Sequence, residues 1–280
     1  MNLKTYNTIL AIIHFTLAGA FYIYFKNINK KYKNDPVKGV ELSIRDHTLK
    51  IQDNIDKTTT ANWESTQNKL VSLNTVQNLL ISFFFITGLF HLYYAVSQKH
   101  YKDMILKGNN YVRWIEYSIT STMMLYIIAL LSGVKDTNIY ILIFSTNVAM
   151  IAQGQLVEEA VANKKEWWLP MLTGFILLMA EFLVIIRDFQ RRIKEVDKYL
   201  SNKQDQDTTR KIPKWLYYMI FVLFAFFASF GFISLYQAAS GTPYENIEKL
   251  YLLFSLLSKA TLGGFMAYGL GQRVTNQTKN

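Results

Sequence analysis

Long uncharged runs alternate with short polar stretches along this chain. Five runs carry no Asp, Glu, Lys or Arg: Thr5–Phe25, Leu70–Gln98, Tyr117–Val134, Thr137–Val157 and Trp215–Tyr244. Two more carry one charge each, Trp167–Ile186 with Glu181 and Leu250–Gln272 with Lys259. A helix needs roughly 20 apolar residues to cross a bilayer. A helix on a soluble protein shows a polar stripe at helical spacing, and Trp215–Tyr244 shows none. The pattern predicts an all-α membrane protein, a bundle of seven transmembrane helices forming one domain over residues 1–280. The helices are placed at about 5–26, 70–97, 110–133, 138–158, 167–188, 214–239 and 247–271. The first run is long enough to span, and no small-residue cleavage site follows it, so it reads as a helix rather than a cleaved signal.

Most connections are short, and two are long. The first, Asn27–Lys69, contains "VELSIRDHTLKIQD". Val40, Leu42 and Ile44 alternate with polar residues, and Leu49 and Ile51 do so after Asp46-His47. Period-two patterning around a polar pair predicts a small β-hairpin over about 38–52, outside the bilayer. In the other, Asp188–Pro213, the helix is expected to continue through "RRIKEVDKYL", with "SNKQDQDTTR" mobile.

Composition adds little to this outline. The chain is 51% hydrophobic and has no cysteine, which excludes disulfides and thiol chemistry. No spacing suggests a metal site or an enzyme's catalytic constellation. The formal charge of +10 fits loops facing an anionic membrane surface better than nucleic-acid binding. Call the side bearing the N-terminus near and the other far. The far side carries 21 of the Lys and Arg residues and the near side 8. By the positive-inside rule, that distribution puts the far side in the cytoplasm.

Ionisable groups inside the spans change the picture most, because such groups default to function. The candidates are His14, His91, Glu116, Glu181 and Lys259. Lys259 falls roughly 18–20 Å into the last helix at 1.5 Å per residue, and its side chain tilts back toward the near side. His14, His91 and Glu116 lie in the same half, while Glu181 lies alone in the far half. One reading of Lys259 is a buried ion pair with Glu116 that ties two helices together. The other is a desolvated amine that forms a Schiff base with an aldehyde cofactor, with Glu116 as the charge that keeps it protonated.

A mid-membrane lysine on the seventh helix and a carboxylate on the third resemble the retinal-binding rhodopsins. In "RWIEYSITSTMMLYI", Arg113, Glu116 and Thr120 are similar to the Arg, counterion and Thr of microbial rhodopsins. Two pump features are absent. Ile127 stands eleven residues after Glu116, where those pumps have a second carboxylate. Ser255 stands four residues before Lys259, where they have Asp. The sixth helix has Phe226, Phe227 and Phe230 in place of paired tryptophans. With "RWIEYS", "SLLSKATLGG", His14, His91 and the Val40–Ile51 segment, nearly the whole chain resembles the heliorhodopsin family.

That resemblance implies all-trans retinal bound covalently at Lys259, Glu116 as counterion and Ser255 hydrogen-bonded to the pair. It makes the His14/His91 region the proton-accepting polar cluster. It also implies a homodimer packed through the first loop and a cytoplasmic N-terminus, against the charge count. Thr120, Met123, Met124, Asn147, Phe227 and Phe230 are candidate lining for the retinal pocket. The function expected is light sensing without ion pumping. Light-driven proton conduction through Glu181 is the alternative, and an unrelated seven-helix transporter or receptor with a structural Lys–Glu pair is a third.

Overall fold

A computed structural model describes residues 2–32, 42–53, 59–71, 73–203 and 212–277. Ten elements follow one another: α1 Leu3–Tyr32, β1 Leu42–Asp53, β2 Thr59–Val71, α2 Leu73–Val96, α3 Gln98–Lys107, α4 Tyr111–Ser132, α5 Thr137–Ala162, α6 Trp168–Lys203, α7 Lys214–Ser240 and α8 Tyr244–Gln277. Seven of the helices are long and apolar enough to cross a bilayer, namely α1, α2, α4, α5, α6, α7 and α8. The membrane part is therefore all-helical.

Local chemistry sets the ends of these helices. Asn110 caps α4 by accepting from the Arg113 backbone N–H at 3.2 Å, and Asp136 caps α5 by accepting from Asn138 at 2.8 Å. Gly133 and Gly241 end α4 and α7 in the left-handed region, at φ 89° and 62°. Each spanning helix packs on the next, and α8 closes the ring against α1. α4 is the most buried of the seven and runs through the middle of the bundle. Gly263 on α8 permits a close approach to α1: a Cβ there would lie 2.5 Å from the Phe21 ring.

Three expectations change. The hairpin expected over 38–52 is not formed. Leu42–Asp53 is one continuous strand, and Asp46 and His47 pair with Thr66 and Ser65 of β2 rather than turning. Asp-His lacks the glycine that a tight two-residue hairpin turn favours, and pairing passes to the next segment. Val40 lies outside the described residues, as does most of "SNKQDQDTTR". Second, the near-side connection after α2 contains α3, which buries only Tyr101 and Met104 and has too short an apolar signal to read as an element. Third, α5 continues past 158 to Ala162, and α8 starts at Tyr244 instead of 247.

Candidate functional site

The α8 sequence places Ser255 and Lys259 one turn apart on the same face. Both are buried. Lys259 Nζ donates to Ser255 Oγ at 2.6 Å and to Glu116 Oε1, on α4, at 3.2 Å. The same carboxylate oxygen accepts from Thr120 Oγ1 at 2.9 Å and from Thr87 Oγ1, on α2, at 2.7 Å. Three donors thus converge on one oxygen, which holds the carboxylate's charge in a fixed direction. The Tyr117 ring lies 5.3 Å from Lys259 Nζ and adds a cation–π contact, and its hydroxyl donates to the Tyr251 carbonyl at 3.0 Å.

The two histidine rings lie side by side, with centroids 5.0 Å apart and planes tilted by 32°. His14 Nδ1 donates to the Leu10 carbonyl at 2.8 Å. His91 Nδ1 lies 2.7 Å from Asn7 Oδ1, whose own amide nitrogen donates to the Leu3 carbonyl. Each neutral ring therefore carries its hydrogen on Nδ1 and leaves Nε2 as a lone pair. His14 Nε2 is buried without a partner among the described residues.

Beside Lys259 lies a cavity of about 50 Å³, lined by residues including Trp114, Tyr117, Thr120, Met124, Phe227 and Phe230. A second, of about 60 Å³, continues it between α5, α6 and α7 and shares Trp114, Met150, Ile151, Phe227 and Phe230. Together they make a narrow, mostly apolar slot that ends at Lys259, the kind of lining that small-molecule sites favour. Gly154 and Gly231 allow this slot its aromatic walls, because a Cβ at either would meet Trp114 or Phe175 at 2.7 Å. Met124 lines the cavity, and Met123 is not among its lining residues. Asn147 stands one layer out: it donates to Ser121 Oγ at 2.8 Å, and Ser121 lines the slot. Glu181 is buried, and neither of its carboxylate oxygens has a partner among the described residues.

A further constellation was not foreseen. Arg113 is fully buried and bridges Glu158 on α5 and Glu248 on α8. Its guanidinium stacks 3.8 Å from the Tyr251 ring centroid. Trp114 Nε1 donates to Glu158 at 2.7 Å, and Asn110 Nδ2 to Glu248 at 2.7 Å. Thr87 was missed too, because a threonine in an apolar run carries no signal until its neighbour is known.

Sequence comparison agrees with this geometry. The heliorhodopsin family model matches residues 3–269. The chain belongs to the heliorhodopsin family. No individual curated protein matches it. Membership makes it a retinal-binding rhodopsin, an integral multi-pass membrane protein of a photoreceptor family.

Proposed function

We propose that all-trans retinal is held covalently by Lys259 Nζ in this slot, with Glu116 as the counterion, and that the protein senses light without pumping ions. The observation that carries the reading is a buried amine, paired with one carboxylate, at the polar end of an otherwise apolar slot. Retinal supplies an aldehyde carbon that condenses with the amine, releasing one water, and a polyene that light can isomerise. Glu116 balances the positive charge at the lysine nitrogen, and Ser255 and Tyr117 share that charge. Trp114, Phe227 and Phe230 exclude water along the slot. The Nε2 lone pairs of His14 and His91 are the acceptors for a proton that leaves the Lys259 end.

The absence of transport is inferred from the far side of the site. Ile127, where pumps carry a carboxylate, is fully buried in the apolar core. Adding all-trans retinal to the expressed protein should give a visible absorption band that Lys259→Ala abolishes. A band that survives that substitution overturns the assignment. Illumination under voltage clamp should give no current. One observation favours the alternative of proton conduction: the unpartnered Glu181 carboxyl in the far half. A photocurrent lost in Glu181→Gln would establish it. We also infer a cytoplasmic N-terminus and a homodimer packed through β1 and β2. A two-stranded sheet leaves unpaired edges that a second copy can cover. Deleting 42–71 should then yield monomers in detergent, and protease added to sealed, right-side-out cells should cut within the first interhelical loop and spare the N-terminus.

A further inference from the structure

The cluster around Arg113 holds two carboxylates against one cation. Its donors are distributed unevenly. The Glu158 oxygen that is turned away from Arg113 accepts from Trp114 Nε1 and from the Asn110 backbone N–H, at 2.7 and 3.2 Å. Both donors are N–H groups and cannot reverse, and the Tyr244 hydroxyl, which accepts from the same Asn110 N–H at 2.8 Å, also stands beside Glu158. The corresponding Glu248 oxygen, Oε1, accepts from Asn110 Nδ2 at 2.7 Å and from the Tyr101 hydroxyl at 3.1 Å. A hydroxyl can turn from donor to acceptor. Burial, with the Glu248 carboxylate beside it, pushes the Tyr101 phenol well above its ordinary value, so Tyr101 keeps its proton and acts only by turning.

The surroundings point to water at this place. Tyr94 Oη, Arg113 Nε and Asn109 Oδ1 are buried there without partners among the described residues. Tyr94 stacks on Tyr101 at 4.5 Å and meets the His91 ring edge-on at 6.3 Å. Buried polar atoms of this kind are ordinarily met by water, which carries protons between fixed groups.

We propose that Glu248 Oε1 is a proton-binding site on the near side, one that takes up and gives back a single proton against the turning Tyr101 hydroxyl. On uptake an O–H bond forms at Oε1, Tyr101 changes from donor to acceptor, and the net charge of Arg113, Glu158 and Glu248 goes from −1 to zero. Arg113, Glu158, Tyr94, Tyr101, Tyr244 and Tyr251 are the ionisable groups that face it. The Glu245–Lys249 pair lies outside, on the partly exposed face of α8. The site stands without retinal. That it receives the proton from the His14/His91 region rests on the reading above.

Infrared spectroscopy of the retinal-free protein in lipid tests this. A protonated-carboxyl band should grow as pH falls, vanish in Glu248→Gln and persist in Glu158→Gln and Glu181→Gln. Tyr101→Phe should keep the band but move it to higher frequency, because one hydrogen bond is lost. Tyr101→Phe keeps the proposal testable if Glu248→Gln does not fold. A band indifferent to both substitutions, or no titrating band, overturns the proposal. Lys259→Ala separates the two readings: it should remove the visible band of the loaded protein and leave the Glu248 infrared band intact.

Discussion

The near and far halves of the bundle handle buried polarity in opposite ways. In the near half every buried charge described has a partner: Lys259 with Glu116, and Arg113 with Glu158 and Glu248. In the far half the packing is Leu125, Ile127, Ile128, Phe83 and their neighbours, and Glu181 sits in its half without a partner. Bringing a charge into the interior costs several kcal/mol, and the near half offsets that cost with converging donors. The far half offers none. A carboxyl in such a place is tolerated for what it does, or it is simply a local weakness.

The largest effect that would break this comparison comes from Arg113→Gln. It strands two buried carboxylates and should cost about 3–5 kcal/mol, as measured by denaturant unfolding in detergent. Glu181→Leu removes a carboxyl that no group satisfies. It should be neutral, or stabilising by up to about 1–3 kcal/mol. If Glu181→Leu destabilises as much as Arg113→Gln, then Glu181 has support outside the described residues, and the two halves are alike.

Glu116→Gln comes next, and its readout is colour. The carboxylate stabilises positive charge at the Lys259 end of the slot. Removing it narrows the gap to an excited state in which that charge spreads toward the other end. The visible band of the retinal-loaded protein should move to longer wavelength. An unmoved band would mean that Glu116 is not the counterion, and that the near half's pairing is structural.

The spans were legible because twenty apolar residues admit few alternatives to a membrane helix. Lys259 was legible because a lone charge in such a run stands out, and Glu116 because its depth on the third helix puts it in the same half of the bundle. Glu158 and Glu248 were not. Each sits where an apolar run fades into polar sequence, so each reads as a flank until α5 is seen to reach Ala162 and α8 to begin at Tyr244. The pairing of β1 with β2 was hidden for a different reason: "TTANWESTQNKLV" carries no apolar alternation, and its strand character comes only from its partner. Thr87 and Tyr101 are ordinary residues in sequence, and their roles depend on a contact across helices.

Thr87→Val should have a smaller effect, opposite in sign to that of Glu116→Gln. The Thr87 hydroxyl draws part of the Glu116 Oε1 charge toward α2, at 2.7 Å. Without it more of that charge is directed at the lysine nitrogen, so the visible band should move to shorter wavelength. The lost hydrogen bond should cost about 1 kcal/mol of stability. Thr120→Val should do less, because that hydroxyl divides its proton between Glu116 Oε1 at 2.9 Å and the Glu116 backbone carbonyl at 3.1 Å. The ordering separates two kinds of support. A donor from another helix fixes where the carboxylate points, while a donor one turn along the same helix mainly satisfies it. If Thr120→Val shifts the band more than Thr87→Val, the cross-helix contact is not what aims Glu116 at Lys259.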